Sequence, residues 1–149
     1  MTKYRVISLF TGIGGMDTGF TEGVVVHRDS VSEDRFIDKD KNVEHSKFVS
    51  LKAHHFEIVF QNDILEVSKN VCACNNILSG QYSTESIKDL VKNEFIFPYT
   101  DVIICGGVPC YDLCMNEINY SASFYTDIEY VIQRVSPKLF VTDNIEELA

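Results

Sequence analysis

The stretch DVIICGGVPCYDLC, residues 101–114, ends an apolar run in two glycines, with Pro109 and Cys110 just beyond them. A thiol just past the end of a strand is reachable and can act as a nucleophile. The plainer alternative is a small buried apolar residue, which is what most cysteines are. Cys105, inside the apolar run, reads as core. Three other features share the placement of Cys110. In FTGIGG, residues 10–15, Gly12, Gly14 and Gly15 allow close backbone approach to a ligand, ahead of a helix start with free N–H groups. That suits a nucleotide or nucleoside cofactor, or is only a tight turn. Asp17 stands where the dinucleotide pattern G-x-G-x-x-G needs its third glycine, so NAD is not favoured. Asp63, after FEIVFQN, can take both hydroxyls of a ribose or cap the next helix. Asp143, in FVTDN, can be a catalytic acid or close a turn at a strand end. Cys72 and Cys74, with His54 and His55 upstream, lack the four-ligand spacing of a zinc site, and no metal is expected.

These residues need elements to hold them. YRVISLF, 4–10, is short and rich in β-branched and aromatic residues, the signature of a buried strand. GMDTGF then opens a helix. FEIVF (56–60), DVIICGG (101–107) and the start of KLFVTDNI (138–145) read as further strands, with a short one near Ser86 and Ile87 before another helix. DILEVSKNVCACNNI, 63–77, predicts a helix with Ile64, Val67, Val71 and Cys74 on one face. SFYTDIEYVIQRV, 123–135, predicts a second, with a stripe through Phe124, Ile128, Val131 or Ile132, and Val135, stopped by Pro137. Residues 28–47 hold eleven charged side chains and no apolar period, so they read as a solvated part of a polar insertion at about 21–55. Apolar strands alternating with helices predict an α/β fold, a mostly parallel sheet covered on both faces. Ligands bind such a sheet beyond the carboxyl ends of its strands. All four chemical features fall there.

A chain of 149 residues suffices for one domain and not for two. No run approaches the roughly 18 apolar residues of a membrane span. The N-terminus carries no signal-peptide pattern, and five unevenly spaced cysteines suggest no disulfide framework. A cytosolic location is expected. The net charge of -9 opposes a polyanion, so any DNA role borrows positive charge from elsewhere or uses a small local patch.

Taken together and in this order, these segments resemble the cytosine-5 DNA methyltransferases. SLFTGIGGMDTGF is similar to that family's first motif, which cradles S-adenosylmethionine. FEIVFQND is similar to the second, with Asp63 where the family usually has Glu. ESIKDL resembles the third, near the adenine. DVIICGGVPCYD is similar to the fourth, the Pro-Cys nucleophile loop, and SPKLFVTDNIEEL to the sixth. The resemblance covers nearly the whole chain outside about 21–55. It implies a Rossmann-like S-adenosylmethionine-dependent methyltransferase fold, incomplete at the C-terminus, and a prokaryotic enzyme of restriction-modification type. Cys110 becomes the nucleophile and Asp143 stands at the acid. Phe10, Gly12, Gly14, Gly15 and Asp63 line the cofactor site, with Ile87 and Pro109 flanking it.

The chain departs from the family at several points. Tyr111 follows the Pro-Cys pair where the family has Gln, and Asp143 is one methylene shorter than the family's Glu. The segment between Cys114 and Ser121 is short for a base-closing loop, and no Arg-Gly precedes SFYTDI. The later arginine-bearing motif, the target-recognition region and the last helix of the cofactor site are not among these residues. The resemblance therefore implies an N-terminal half that meets DNA with a complementing chain. The alternatives are a remnant that binds S-adenosylmethionine or a partner protein without methylating, and another nucleotide-binding or small-molecule enzyme on the same topology.

Overall fold

The computed structural model describes residues 3–21, 24–37, 46–52, 55–93, 102–107 and 118–143, with backbone alone over 118–125. The strands are β1 (Tyr4–Leu9), β2 (Val25–His27), β3 (Phe48–Ser50), β4 (Phe56–Asn62), β5 (Gln81–Ser83), β6 (Val102–Gly107) and β7 (Leu139–Asp143). The helices are α1 (Glu66–Cys74), α2 (Ile87–Lys92) and α3 (Ile118–Val135). Five strands form one sheet in the order β5-β4-β1-β6-β7, and every pairing in it is parallel. The chain runs outward from β1 to one edge, then returns to β6 beside β1 and runs outward again. That reversal is the switch point of a doubly wound sheet, and the arrangement is compatible with a Rossmann-like fold.

Right-handed crossovers put connections made before and after such a reversal on opposite faces. Ile7, Leu9, Phe60, Val102 and Ile104 pack with Ile87 and Leu90 of α2 and Val131 of α3. On the other face Val6, Ile58, Ile103 and Cys105 pack with Met16, Phe20 and Phe56. The alternation along β1 and β6 is the period-two pattern of a strand buried on both sides. β4 breaks it. Its register against β1 shifts between Val6 and Ile7, which pair with Ile58 and Phe60 and pass over Val59. A bulge of this kind turns the residues after it to the opposite face. Ile58 and Phe60, two apart, accordingly lie in different clusters.

Several expectations are corrected. No α-helix follows the glycine turn among the described residues, only a 3-10 turn over Asp17–Phe20. The third sheet strand is Gln81–Ser83, and Ser86 caps α2 through its hydroxyl, which accepts from Asp89 N–H. The buried residues of α1 are Ser68 and Cys72, while Val67 and Cys74 of the expected face, and Ile64 ahead of the helix, are exposed. Of the buried pair, Cys72 lies against the glycine turn, its thiol 3.6 Å from the Gly12 carbonyl. A Cβ on Gly14 would stand 3.3 Å from the Cys72 sulfur. The segment read as solvated charge is also partly ordered around a core residue. β2 and β3 form an antiparallel pair, Phe36 is fully buried, and the Arg28 guanidinium lies 5.0 Å from its ring centre.

Candidate functional site

Strand β1 stops at Leu9 because Phe10 turns into the left-handed region, with φ 54°. That is a costly conformation for a bulky residue and demands restraint from outside. Thr11 N–H is held by the Asn62 carbonyl at 2.9 Å, and Gly14 N–H by the Thr11 carbonyl at 2.9 Å. Gly12 and Gly14 take φ values of 56° and 85°, which glycine adopts freely. Gly14 faces inward, where a Cβ would come within 2.8 Å of Ile77. A Cβ on Gly15 would meet open space, and one on Gly12 only the Phe10 carbonyl, 4.0 Å away.

Asp63 follows the last residue of β4, the strand beside β1. Its Oδ2 accepts from Gly12 N–H at 2.9 Å and its Oδ1 from Leu65 N–H at 2.8 Å. The helix cap expected of Asp63 is corrected, since the N-cap of α1 is Leu65 and no side chain caps it. The carboxylate closes the local turn before α1, and it ties the glycine turn to the neighbouring strand end. An ionised carboxylate offers about four acceptor positions, so about two remain for a ligand.

Asp143 is the last residue of β7, at the same carboxyl edge. Its side chain lies across Gly107, where a Cβ would stand 2.7 Å from Oδ1. The glycine at the end of β6 thus leaves room for the carboxylate. Asp63 and Asp143 sit on strands separated by β1 and β6, which at usual strand spacing puts them about 14 Å apart. Pro109 and Cys110 lie outside the described residues, two and three positions beyond Gly107. Ile87 is buried with Leu9 and Phe60 in the core, so its described contacts are with the sheet.

Beneath the turn is a polar group that sequence reasoning missed. Asp17 is fully buried. Its Oδ2 accepts from the Ser8 hydroxyl at 3.0 Å and its Oδ1 from Gln61 Nε2 at 3.2 Å. Burial pushes the Asp17 pKa up, partly offset by these two hydrogen bonds. Cys105 is pushed up to about 12 by burial and by Asp17, so it stays a thiol, as a core cysteine should. Burial and the charges of Asp17 and Asp63 raise Cys72 as well. Among the described residues no three His, Cys, Asp or Glu side chains gather as metal ligands do, and no helix is long and apolar enough to cross a membrane.

The Asp17 shift carries a prediction. The folded pKa lies above the ordinary 3.8, so the folded state holds the proton more tightly than the unfolded chain. The parent loses stability relative to Asp17→Asn as pH rises from about 3.8 through the raised folded value. Urea unfolding of both proteins at pH 4 and pH 7 is expected to show that change in their difference. A difference that is constant or moves oppositely contradicts the assignment.

No family model and no curated protein sequence matches this chain.

Proposed function

We propose that this chain is the S-adenosylmethionine-binding, catalytic half of a DNA (cytosine-5)-methyltransferase, of restriction-modification type. One observation supports the reading most. The hydrogen bond from Gly12 N–H to Asp63 joins a glycine turn and a carboxylate on adjacent parallel strands, beside the switch point. This is the edge where such sheets take ligands. The described parts of the segments that resemble the family lie in β1 and the turn after it, β4, α2, β6 and β7.

The residues present fit the cofactor. Gly12 and Gly15 leave room for close backbone approach, and Asp63 keeps acceptor positions for ribose hydroxyls. Phe10, Gly14, Ile87 and Pro109 complete its surroundings in this reading. When bound, S-adenosylmethionine supplies a methyl group activated by its sulfonium. The chain's own residues prepare the base. The Cys110 thiolate adds to cytosine C6, and the displaced electron pair makes C5 nucleophilic. Asp143 contacts N3 and the exocyclic amine, and its proton draws electron density from the ring. C5 takes the methyl group as the electron pair of the breaking C–S bond returns to the sulfonium sulfur; a water molecule then takes the C5 proton, and the Cys110 sulfur departs as thiolate to restore the aromatic ring. The base leaves the duplex stack before any of this.

A second reading keeps cofactor binding and drops transfer. Tyr111 in place of Gln and Asp143 in place of Glu favour it, since displacement of a catalytic group by about 1 Å can cost on the order of a hundredfold in rate.

Titration calorimetry with S-adenosylmethionine tests the shared core of both readings. The parent chain binds. Asp63→Ala binds roughly tenfold to a hundredfold more weakly, because hydrogen bonds to a charged group contribute about 1.5–3 kcal/mol each. Equal affinity of parent and variant removes the ribose assignment, and no binding by the folded parent removes the proposal.

A further inference from the structure

The glycine turn is strained at Phe10, and three residues around that strain share one buried chain of hydrogen bonds. Thr11 donates its hydroxyl to Ser8 Oγ at 3.1 Å, with the Ser8 carbonyl at 3.4 Å, and Ser8 donates to Asp17 Oδ2 at 3.0 Å. Each Asp17 oxygen takes one hydrogen bond, Oδ2 from Ser8 and Oδ1 from Gln61 Nε2, which gives the whole chain its direction. Ser8 must spend its proton on Asp17, and its lone pairs are then left for Thr11. A brace joins the chain from the other side. Ser79 N–H donates to Gln61 Oε1 at 2.8 Å, which fixes the amide's orientation. Gln61 Nε2 then faces Asp17 Oδ1 at 3.2 Å and the Ile77 carbonyl at 3.3 Å. Ser8, Asp17 and Gln61 are each at most 1% exposed, and Thr11 is 7% exposed. The bulge at Val59 brings Gln61 to this face, since unbroken alternation from Ile58 would carry it to the other.

A buried acid is expensive to keep, and hydrophobic residues of similar size would stabilise the fold as well or better. The geometry assigns Ser8, Asp17 and Gln61 as positioning residues that hold Phe10, Thr11 and the glycine turn in the shape that receives the cofactor. They touch no ligand themselves. They act through Thr11, whose neighbour Gly12 is bonded to Asp63. The assignment deepens the cofactor-site reading and rests on it for the ligand's identity, but not for the geometry.

The test is amide hydrogen exchange on the unliganded full chain, with S-adenosylmethionine affinity measured in parallel. Ser8→Ala removes the central hydroxyl, and Asp17→Asn leaves one acceptor oxygen for two donors, so its amide N–H must face either Ser8 or Gln61 Nε2. Both are expected to speed exchange at Gly12 and Gly14 by about tenfold, the effect of one net hydrogen bond. Exchange at Ile7 and Ile104, in the sheet, stays within about twofold of the parent. Affinity for S-adenosylmethionine falls by about the same tenfold. Thr11→Val keeps the side-chain shape and removes only the outermost hydroxyl, so it serves if a buried variant fails to fold, and it accelerates the same two amides. Turn and sheet amides speeding up together would mean a general stability role and overturn the assignment, as would an unchanged turn. Loss of turn protection in the variants, when the parent itself binds no S-adenosylmethionine, would uphold the positioning role and overturn the cofactor reading instead.

Discussion

These 149 residues, incubated with methyl-labelled S-adenosylmethionine and mixed-sequence DNA, are expected to transfer no label. Three physical terms act against the same step. A net charge of -9 repels the phosphate backbone, whose neutralisation supplies most of non-specific affinity. Extruding the target base costs a few kcal/mol, normally offset by groove contacts from a recognition region that these residues do not contain. In the methyltransferase reading the acid would be Asp143, one methylene short of the Glu usual in the family that the chain resembles, and these residues do not supply the later arginine that would help it polarise the base. Losses on one step need not add simply, but none compensates another. When a chain carrying the recognition region is supplied, the methyltransferase reading expects transfer that disappears in Cys110→Ala. A tenfold loss of rate corresponds to about 1.4 kcal/mol of transition-state stabilisation, and removal of a covalent nucleophile costs several such steps. Cys110-dependent transfer by the chain alone would overturn the first expectation. No transfer with the partner, together with intact cofactor binding, would favour the non-catalytic reading.

Gly80→Ala is expected to be the most damaging single-methyl change in the fold. Gly80 takes φ 64° at the entry to β5, and an added Cβ would stand 2.5 Å from the Val59 carbonyl carbon and 2.8 Å from its Cα. Those atoms are backbone at the β4 bulge, so they cannot swing away as a side-chain tip does. Left-handed alanine costs roughly 1–2 kcal/mol, and overpacking a tight contact about 1–3 kcal/mol more. The expected loss is about 3 kcal/mol, which for a chain of this size lowers Tm by roughly 10 °C. Gly15→Ala is the control. A Cβ there would meet open space, so that variant changes stability by less than about 0.5 kcal/mol. Thermal unfolding followed by circular dichroism compares the two. Equal melting temperatures would show that β5 is not held against the bulge as described.

The parallel sheet was legible because its inner strands are buried on both faces and read as apolar runs at Tyr4–Leu9, Phe56–Asn62 and Val102–Gly107. The edge strand Leu139–Asp143 is largely exposed but still carries the apolar run Leu139, Phe140 and Val141. The carboxyl-edge placement of Gly12, Asp63 and Asp143 followed from strand order, since parallel strands share one edge. Helix α3 was legible too, since Ile128 and Val131 lie buried on the expected stripe. The placing of α1 was not. Periodicity favours the larger apolar face, but the packed structure buries Ser68 and Cys72, with Cys72 against the glycine turn. The Ser8–Asp17–Gln61 chain was equally hidden. Its members are 9 and 44 positions apart, and Gln61 reaches Asp17 only because a one-residue bulge turns β4 over. Local chemistry along the chain determined where strands end and which residue types stand there. Tertiary structure decided which buried polar groups meet, because hydrogen-bond partners are chosen by faces and registers that no local pattern encodes.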